Sequence, residues 1–295
     1  MLNPFNFPAY WAAYLVRSGK PVVWTCSEVL GPYRQTKELY EKSVSFRLAL
    51  NFVMSLDRRI VKNGVDSIVT YSTLNRQLIM ERYERTSKVI PACVDFDFFS
   101  ENVSNAKERL GFKGSILLLH VGWLVAPKNH VVSIRALHIL KEKKANIKLV
   151  IVGTGPLEPF LRKEADYLGL KNDVIFMDVN SQEVLRLLYH ACDLNLFPVK
   201  NQTFGLIPFE ALAAGKISIV AKGAGAAEII RREKIGFLIE PTIEELANVV
   251  LFALSHPEDV NSMVRKGQKY VRENLTWEKY ARDMLAVFKD ALCSE

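Results

Sequence analysis

"SILLLHVGWLVAPKNH", residues 115–130, decides the fold. An apolar run broken by a single histidine reaches Val121 and stops at Gly122. A strand with one wet face alternates apolar and polar residues, whereas a near-continuous apolar run belongs to a parallel sheet covered on both faces. A loop follows, and an amphipathic pattern takes over at 129–144. The same plan recurs along the chain. Candidate strands lie at 21–26, 66–72, 88–94, 147–153, 174–178, 193–198 and 217–222, and further amphipathic segments at 157–168, 181–191 and 243–255. Strands alternating with helices make the class α/β.

A polar stretch, "SENVSNAKERLGFKG" at 100–114, marks a boundary between an N-terminal part, 1–105, and a doubly wound part, 106–275. A last helix, 277–292 within the segment 276–295, is expected to carry Tyr280, Met284, Leu285 and Phe288 on one face. The first hundred residues offer about three strands, so the N-terminal domain reads as incomplete. Its open parallel edge is then either covered by something else or belongs to a minimal domain.

Composition narrows the function. No apolar run reaches the roughly eighteen residues of a membrane-spanning helix, and the start of the chain lacks the pattern of a secretory leader. Four cysteines without metal-type spacing suggest reduced thiols and a cytoplasmic protein. A net charge of +7 suits phosphates, nucleic acid or an anionic membrane. The basic residues are scattered and no nucleic-acid motif is present, so no nucleic-acid partner is expected. Residues 34–62 hold seven Lys/Arg against three Asp/Glu, interleaved with Phe46, Leu48, Leu50, Phe52 and Leu56. Two readings stay open for them: a peripheral contact with the inner face of a membrane, or a core-facing helix with a solvated basic side.

In open α/β sheets ligands bind beyond the carboxyl ends of the strands. At one such end, Gly122 closes a strand and Lys128 stands at the entrance to a helix, where a cation opposes the dipole unless an anion is present. At a second, Gly153 and Gly155 suit a tight turn. At a third, in "NQTFGLIPFEALAAGK" (201–216), the amides of Phe204, Gly205 and Leu206 open a helix. Glu210 then sits in an apolar run, costly to desolvate without a partner. That partner is a ribose hydroxyl or a subunit or domain contact. "KGAGAAEII" (222–230) repeats the plan, with Glu228 favouring the helix dipole. His120, His130 and His190 have no metal-ligand spacing and read as core or surface residues; no metal site is expected.

Taken in order, "VIPACVDFDFF", "LLLHVGWLVAPK", "LVIVGTGP", "DVIFMD", "ACDLNLFP", "TFGLIPFEALAAGK" and "AGAAEII" resemble the group 1, or family-4, glycosyltransferases of the GT-B fold. The resemblance implies two Rossmann-like doubly wound domains. A truncated acceptor-side domain would span 1–105, a nucleotide-sugar-binding domain 106–275, and the segment 276–295 would pack back on the first. It implies retaining transfer of a sugar from a nucleotide diphosphate donor to a glycan or lipid-linked acceptor, with no cofactor and no metal. The catalytic expectations are Lys128, Gln202 and Glu210: Lys128 on the diphosphate, Gln202 where the family carries a glutamate near the donor sugar, Glu210 on the ribose. Gly122, Trp123, Thr203, Phe204, Gly205 and Leu206 complete the donor set. Trp123 stands where the family has an arginine, to stack on a base or pack under its loop. Ser27, followed by Glu28, stands where many relatives carry a histidine. These departures, with the short N-terminal part, keep a second reading in view: a non-catalytic or split-enzyme subunit whose partner chain completes the N-terminal domain.

Overall fold

The computed structural model describes residue 11 and residues 20–27, 44–144, 146–179, 181–200 and 202–293. Glu28, residues 34–43, the side chain of Phe46 and Asn201 lie outside the described residues. The chain divides into two compact units, Met1–Pro91 with Glu278–Glu295, and Ala92–Trp277. Among the described residues no helix is long and apolar enough to cross a membrane.

The first unit is built on a parallel sheet of β1 (Val23–Cys26), β2 (Ser67–Thr70) and β3 (Lys88–Val89) in the order β1-β2-β3. Helix α1 (Val44–Gly64) joins β1 to β2, and α2 (Thr73–Tyr83) joins β2 to β3. The strand expected over 88–94 pairs only at Lys88 and Val89. Pro91 has no N–H to give a ladder and ends it. Side chains alternate across this sheet. Trp24, Cys26 and Ile68 meet Ile60, Val61, Ile79 and Tyr83 on one face. Val23, Val69 and Ile90 meet Tyr280, Met284 and Val287 of the closing helix, Trp277–Leu292. That helix buries Met284, Val287 and Ala291 and leaves Leu285 and Phe288 exposed, so its core stripe lies one turn-step away from the face expected from the sequence.

A charge sits inside this unit. Asp57 is fully buried and accepts from Trp11 Nε1 and Tyr83 Oη, both at 2.8 Å, with Arg82 at 3.6 Å. Two donors and a cation offset its desolvation. Arg85 closes the C-terminal end of α1, donating to the carbonyls of Val61, Lys62, Val65 and Asp66 at 2.8–3.1 Å. The orphan carbonyls of a helix end are satisfied in this way.

The second unit holds a six-stranded parallel sheet in the order β6-β5-β4-β7-β8-β9. Its strands are β4 (Ile116–Val121), β5 (Ile147–Val152), β6 (Val174–Met177), β7 (Leu194–Phe197), β8 (Ile217–Ala221) and β9 (Phe237–Ile239). Two short helices precede it, α3 (Phe96–Ser100) and α4 (Ala106–Arg109). The crossovers are α5 (His130–Lys143), α6 (Glu158–Tyr167), α7 (Gln182–Ala191), α8 (Ile207–Ala213) and α9 (Ala226–Glu233), followed by α10 (Ile243–Ser255) and α11 (Pro257–Asn274). Leu117, Leu118, Leu119, Leu149, Val150 and Ile151 are all at most 1 % exposed, as a sheet covered on both faces requires. β9 is three residues long and has no counterpart among the sequence candidates.

Residues 92–105 fold with this second unit. Val94 donates to Leu275 O at 2.9 Å, His190 Nε2 meets Phe99 O at 2.9 Å, and the Arg272 guanidinium lies 4.7 Å from the Phe96 ring centre. The chain therefore enters the second unit before the polar stretch that marked the boundary in the sequence.

Candidate functional site

Counted from β4, the strand order of the second unit is 3-2-1-4-5-6. The chain reverses direction between β4 and β7, and a crevice opens beyond the carboxyl ends of two neighbouring strands whose loops diverge. The loops that fill it are 122–129 after β4 and 198–206 after β7.

The first loop leaves β4 at Gly122, buries Leu124, and makes one turn of 3-10 helix, Ala126–Lys128. Asn129 ends that turn in a left-handed conformation, φ 63°. Its side chain donates to Pro198 O at 3.1 Å, while the N–H of Lys200 donates to Pro127 O at 3.1 Å. The ammonium of Lys128 donates to Gln202 Oε1 at 2.5 Å. Lys128 and the 202–206 turn, 74 residues apart in sequence, thus stand on the same side of the sheet and in contact.

Two further loops brace this pair. Leu124 N–H donates to Thr154 O at 2.8 Å, tying the first loop to the turn after β5. A Cβ on Gly153 would fall 2.2 Å from Gly122 O, so only glycine lets the two turns approach. The turn after β8 grips the other loop: Gly225 N–H donates to Gln202 O at 2.7 Å and Ala226 N–H to Phe204 O at 2.8 Å. A Cβ on Gly225 would lie 2.1 Å from Thr203 O. The sequence assigned "KGAGAAEII" only a helix start with Glu228, and its bracing role went unseen. A glycine whose Cβ would strike a distant backbone leaves no spacing signature.

Thr203 and Phe204 are buried, with Phe204 stacked on Phe209 at 5.4 Å. Leu206 is 36 % exposed, and its carbonyl accepts from Phe209 and Glu210 to start α8. The half-buried carboxylate that the sequence left without a partner has one in Tyr189, whose hydroxyl donates to Glu210 Oε2 at 2.7 Å. Burial pushes the Glu210 carboxyl above its ordinary range, and the Tyr189 bond pulls the other way. Burial, then the Glu210 charge, pushes the Tyr189 phenol well above its own. Tyr189 therefore remains a donor. A tyrosine on the apolar face of a helix reads in sequence as core, so nothing there pointed to this pair.

Trp123 is 54 % exposed and does not pack under its loop. The loop is seated instead on two packed imidazoles, His120 from β4 and His130 from α5, with ring centres 3.9 Å apart and planes tilted by 33°. His120 Nδ1 lies 2.9 Å from Ser133 Oγ, and His130 Nε2 lies 3.3 Å from Trp123 O. Burial, foremost, lowers His120 well below the usual histidine value and brings His130 down to about 4. Both are neutral core residues, as the sequence suggested. Beside Gly122, the carboxyl ends of β4 and β5 border a cavity of about 330 Å³ lined by Val152, Gly153, Val179, Ser181, Gln182 and Leu185. Ser27 is described at the end of β1 in the other unit, and among the described residues no group of three or more His, Cys, Asp or Glu is placed to hold a metal ion.

The sequence profile of the family described as glycosyl transferases group 1 matches residues 102–270, more than half of the chain. The chain belongs to this family. An uncharacterised glycosyltransferase of Methanocaldococcus jannaschii is 30 % identical over 194 residues, covering 63 % of this chain and 50 % of that protein. A GDP-mannose-dependent alpha-(1-6)-phosphatidylinositol dimannoside mannosyltransferase of Mycobacterium tuberculosis is 30 % identical over 243 residues, covering 81 % and 61 %. This group 1 chain thus spans between half and about three-fifths of the length of these relatives. Among solved structures, HepE of Anabaena in complex with UDP-glucose superposes with a TM-score of 0.80 at 19 % identity, over 96 % of this chain and 75 % of that one. A glycosyltransferase of Rickettsia africae gives 0.75 at 18 %, over 99 % and 84 %. At those identities the likeness concerns the fold, Rossmann-like α/β units of the GT-B class.

Proposed function

We propose that this chain carries the donor side of a sugar-transfer site and moves a hexosyl group, with retention, from a nucleotide diphosphate sugar to a glycan or lipid-linked acceptor. The observation that carries the reading is the 2.5 Å contact between Lys128 and Gln202 at the switch point of the second sheet. It brings a cation against the turn that opens α8, and this reading assigns Glu210, in the first turn of that helix, to the same donor.

In this mechanism Lys128 and the amides of Phe204, Gly205 and Leu206 take the diphosphate, and no metal is needed to neutralise it. Glu210, steadied by Tyr189 on Oε2, offers Oε1 to the ribose hydroxyls, which suit a carboxylate acceptor. The cavity beside Gly122 takes the nucleoside. Gln202 orients the donor sugar through an amide that both donates and accepts. As the bond to the leaving diphosphate breaks, charge accumulates on its oxygens. Lys128 stabilises that charge where it develops, and fixed donors are worth most there. The acceptor hydroxyl attacks from the face the diphosphate leaves. A cytoplasmic setting fits Cys26, Cys93, Cys192 and Cys293 as reduced thiols.

Support also comes from the relatives, one of which is described as using GDP-mannose, and from HepE, crystallised with UDP-glucose. Calorimetry with UDP, GDP and ADP tests the assignment. A charge-assisted hydrogen bond is worth about 1.5–3 kcal/mol, so Lys128→Ala is expected to weaken the best nucleotide roughly ten- to a hundredfold. Equal affinity in the two proteins refutes it.

A second reading, a binding or split-enzyme subunit, draws on two observations. Trp123 places no charge on the donor loop, and β1 lies at the edge of a three-stranded sheet among the described residues. A stoichiometric partner in native extract supports that form, and turnover by the lone chain excludes it.

A further inference from the structure

We infer that a cavity at the amino-terminal edge of the second sheet binds a small phosphorylated anion. The proposed donor crevice lies beyond the carboxyl ends of β4 and β7, and this cavity, of about 430 Å³, lies at the opposite ends of those strands. The chain order places it there: Gly114 comes just before β4, Asp193 before β7 and Lys216 before β8. Its volume is that of a small-molecule pocket. Among its lining side chains Lys107, Lys113 and Lys216 stand against Glu108 and Asp193, with His190 of α7 beside them. The sugar-transfer reading uses none of these residues, so the inference stands apart from it.

Hydrogen-bonding capacity decides the sign of the ligand. Asp193 is fully engaged: Lys107 Nζ donates to its two oxygens at 2.8 and 2.6 Å, and the Leu117 N–H donates to Oδ2 at 2.7 Å. That carboxylate ties α4 to the start of β4 and accepts little more, whereas Lys107 keeps a further donor. Lys113 meets Glu108 at 2.7 Å with the two side chains 79 and 47 % exposed, a surface pair that yields readily. Lys216 is different. Its backbone is fixed by the N–H donating to Ala211 O at 2.8 Å, and its half-buried side chain forms no ion pair among the described residues. Donors therefore outnumber free acceptors around the cavity. A phosphoryl group brings several strong acceptor oxygens and is the complementary partner for converging ammonium groups.

His190 reports on the same space. Its Nε2 lies 2.9 Å from the Phe99 carbonyl, which can only accept, so Nε2 carries the proton of the neutral ring. Burial, foremost, lowers the ring's pKa and the bond to Phe99 acts the other way, while the Lys216 and Arg186 charges lower it further. The ring thus feels the Lys216 charge, and an anion seated between the lysines would offset it.

The test follows the imidazole proton signal of His190 in the full chain, assigned by its loss in His190→Gln. Inorganic phosphate and glucose 6-phosphate are titrated at fixed pH against sodium chloride at matched ionic strength. Saturable movement of the signal is expected with phosphate or the sugar phosphate, together with a rise in the ring's pKa. Tighter binding of the sugar phosphate assigns the site to phosphate esters, and equal binding assigns it to the free ion. Lys113→Ala with Lys216→Ala should weaken binding about tenfold or more. Lys113→Glu alone, a change on an exposed side chain that leaves the fold intact, should weaken it as well. Lys128→Ala, at the other end of the sheet, should leave the movement unchanged. The inference is overturned if neither phosphate probe moves the signal saturably, if chloride moves it as far, or if both lysine variants respond like wild type. Lys216 then only complements the carbonyl end of α8.

Discussion

Glu210 shows how one residue can be useful because its setting costs stability. Burial raises its carboxyl above the ordinary 4.5. A group raised in the fold contributes its stability in full below its unfolded value, and that contribution is lost as pH climbs through the folded value. At pH 8 the ionised carboxylate is therefore a burden on the fold. Glu210→Gln keeps an acceptor for Tyr189 and drops the charge. It should melt higher than wild type at pH 8, by about 2–4 °C for each kcal/mol relieved, with the gap closing toward pH 4.5. Its affinity for the preferred nucleotide should fall roughly tenfold or more, by loss of a charged acceptor. Melting curves at the two pH values and calorimetry on one preparation decide both halves. Lys128 and the 204–206 turn stood out in sequence because each follows a candidate strand, and Gln202 only through the family resemblance; that Lys128 and Gln202 touch is a finding of the structure. Tyr189 was not, since its hydroxyl acts across 21 residues from inside an apolar helix face.

At the scale of elements, the turns beyond the strand ends behave as one laced unit. The turn after β5 holds the loop after β4, that loop holds the one after β7, and the turn after β8 holds it from the other side. Gly225→Ala probes the lacing at a distance from any bound ligand. With Thr203 O 2.1 Å from the new methyl, the 202–206 turn has to shift, at a cost of about 1–3 kcal/mol. Nucleotide affinity should drop with it, although residue 225 is not part of the proposed donor set. A variant that binds nucleotide like wild type would show the brace to be dispensable. The strands of the second sheet were legible as unbroken apolar runs, each buried on two faces. β9 was not, because three residues between a glycine and a glutamate carry too little pattern. The closing helix was found, but with Leu285 and Phe288 on the wrong side of its stripe. A helix that covers a three-stranded sheet needs only a narrow buried seam, and a broad apolar face does not say where that seam runs.

Across the whole molecule, acid should act first on the second unit's buried imidazoles. The chain carries +7 before any histidine is protonated, so each added proton raises its self-repulsion. His120 and His130 are depressed, chiefly by burial; His130 adds to this for His120, the Lys128 charge for both, while the backbone of Lys128 acts the other way on His120 and that of Trp123 and Gly122 on His130. A depressed group contributes stability above its unfolded value and loses it as pH falls through the folded one. For His130 that window runs from 6.5 down to about 4. His130→Phe should flatten the acid limb of the melting curve there by on the order of 1–3 kcal/mol. An unchanged limb would place acid sensitivity elsewhere. The two-part organisation was legible from the polar stretch at 100–114, but the boundary was not. Phe96 and Phe99 commit the chain to the second unit through α11 and α7 before that stretch begins, and polarity marks where a chain is solvated rather than where a core ends.

The contact between Lys128 and Gln202 carries one more implication. The Gln202 amide meets the ammonium as a neutral dipole, whereas a carboxylate in that place would meet it as an ion pair. Two anionic oxygens arriving together outcompete the amide easily. On the proposed donor reading, the amine is oriented before a ligand arrives and gives up a neutral amide rather than an ion pair to meet it.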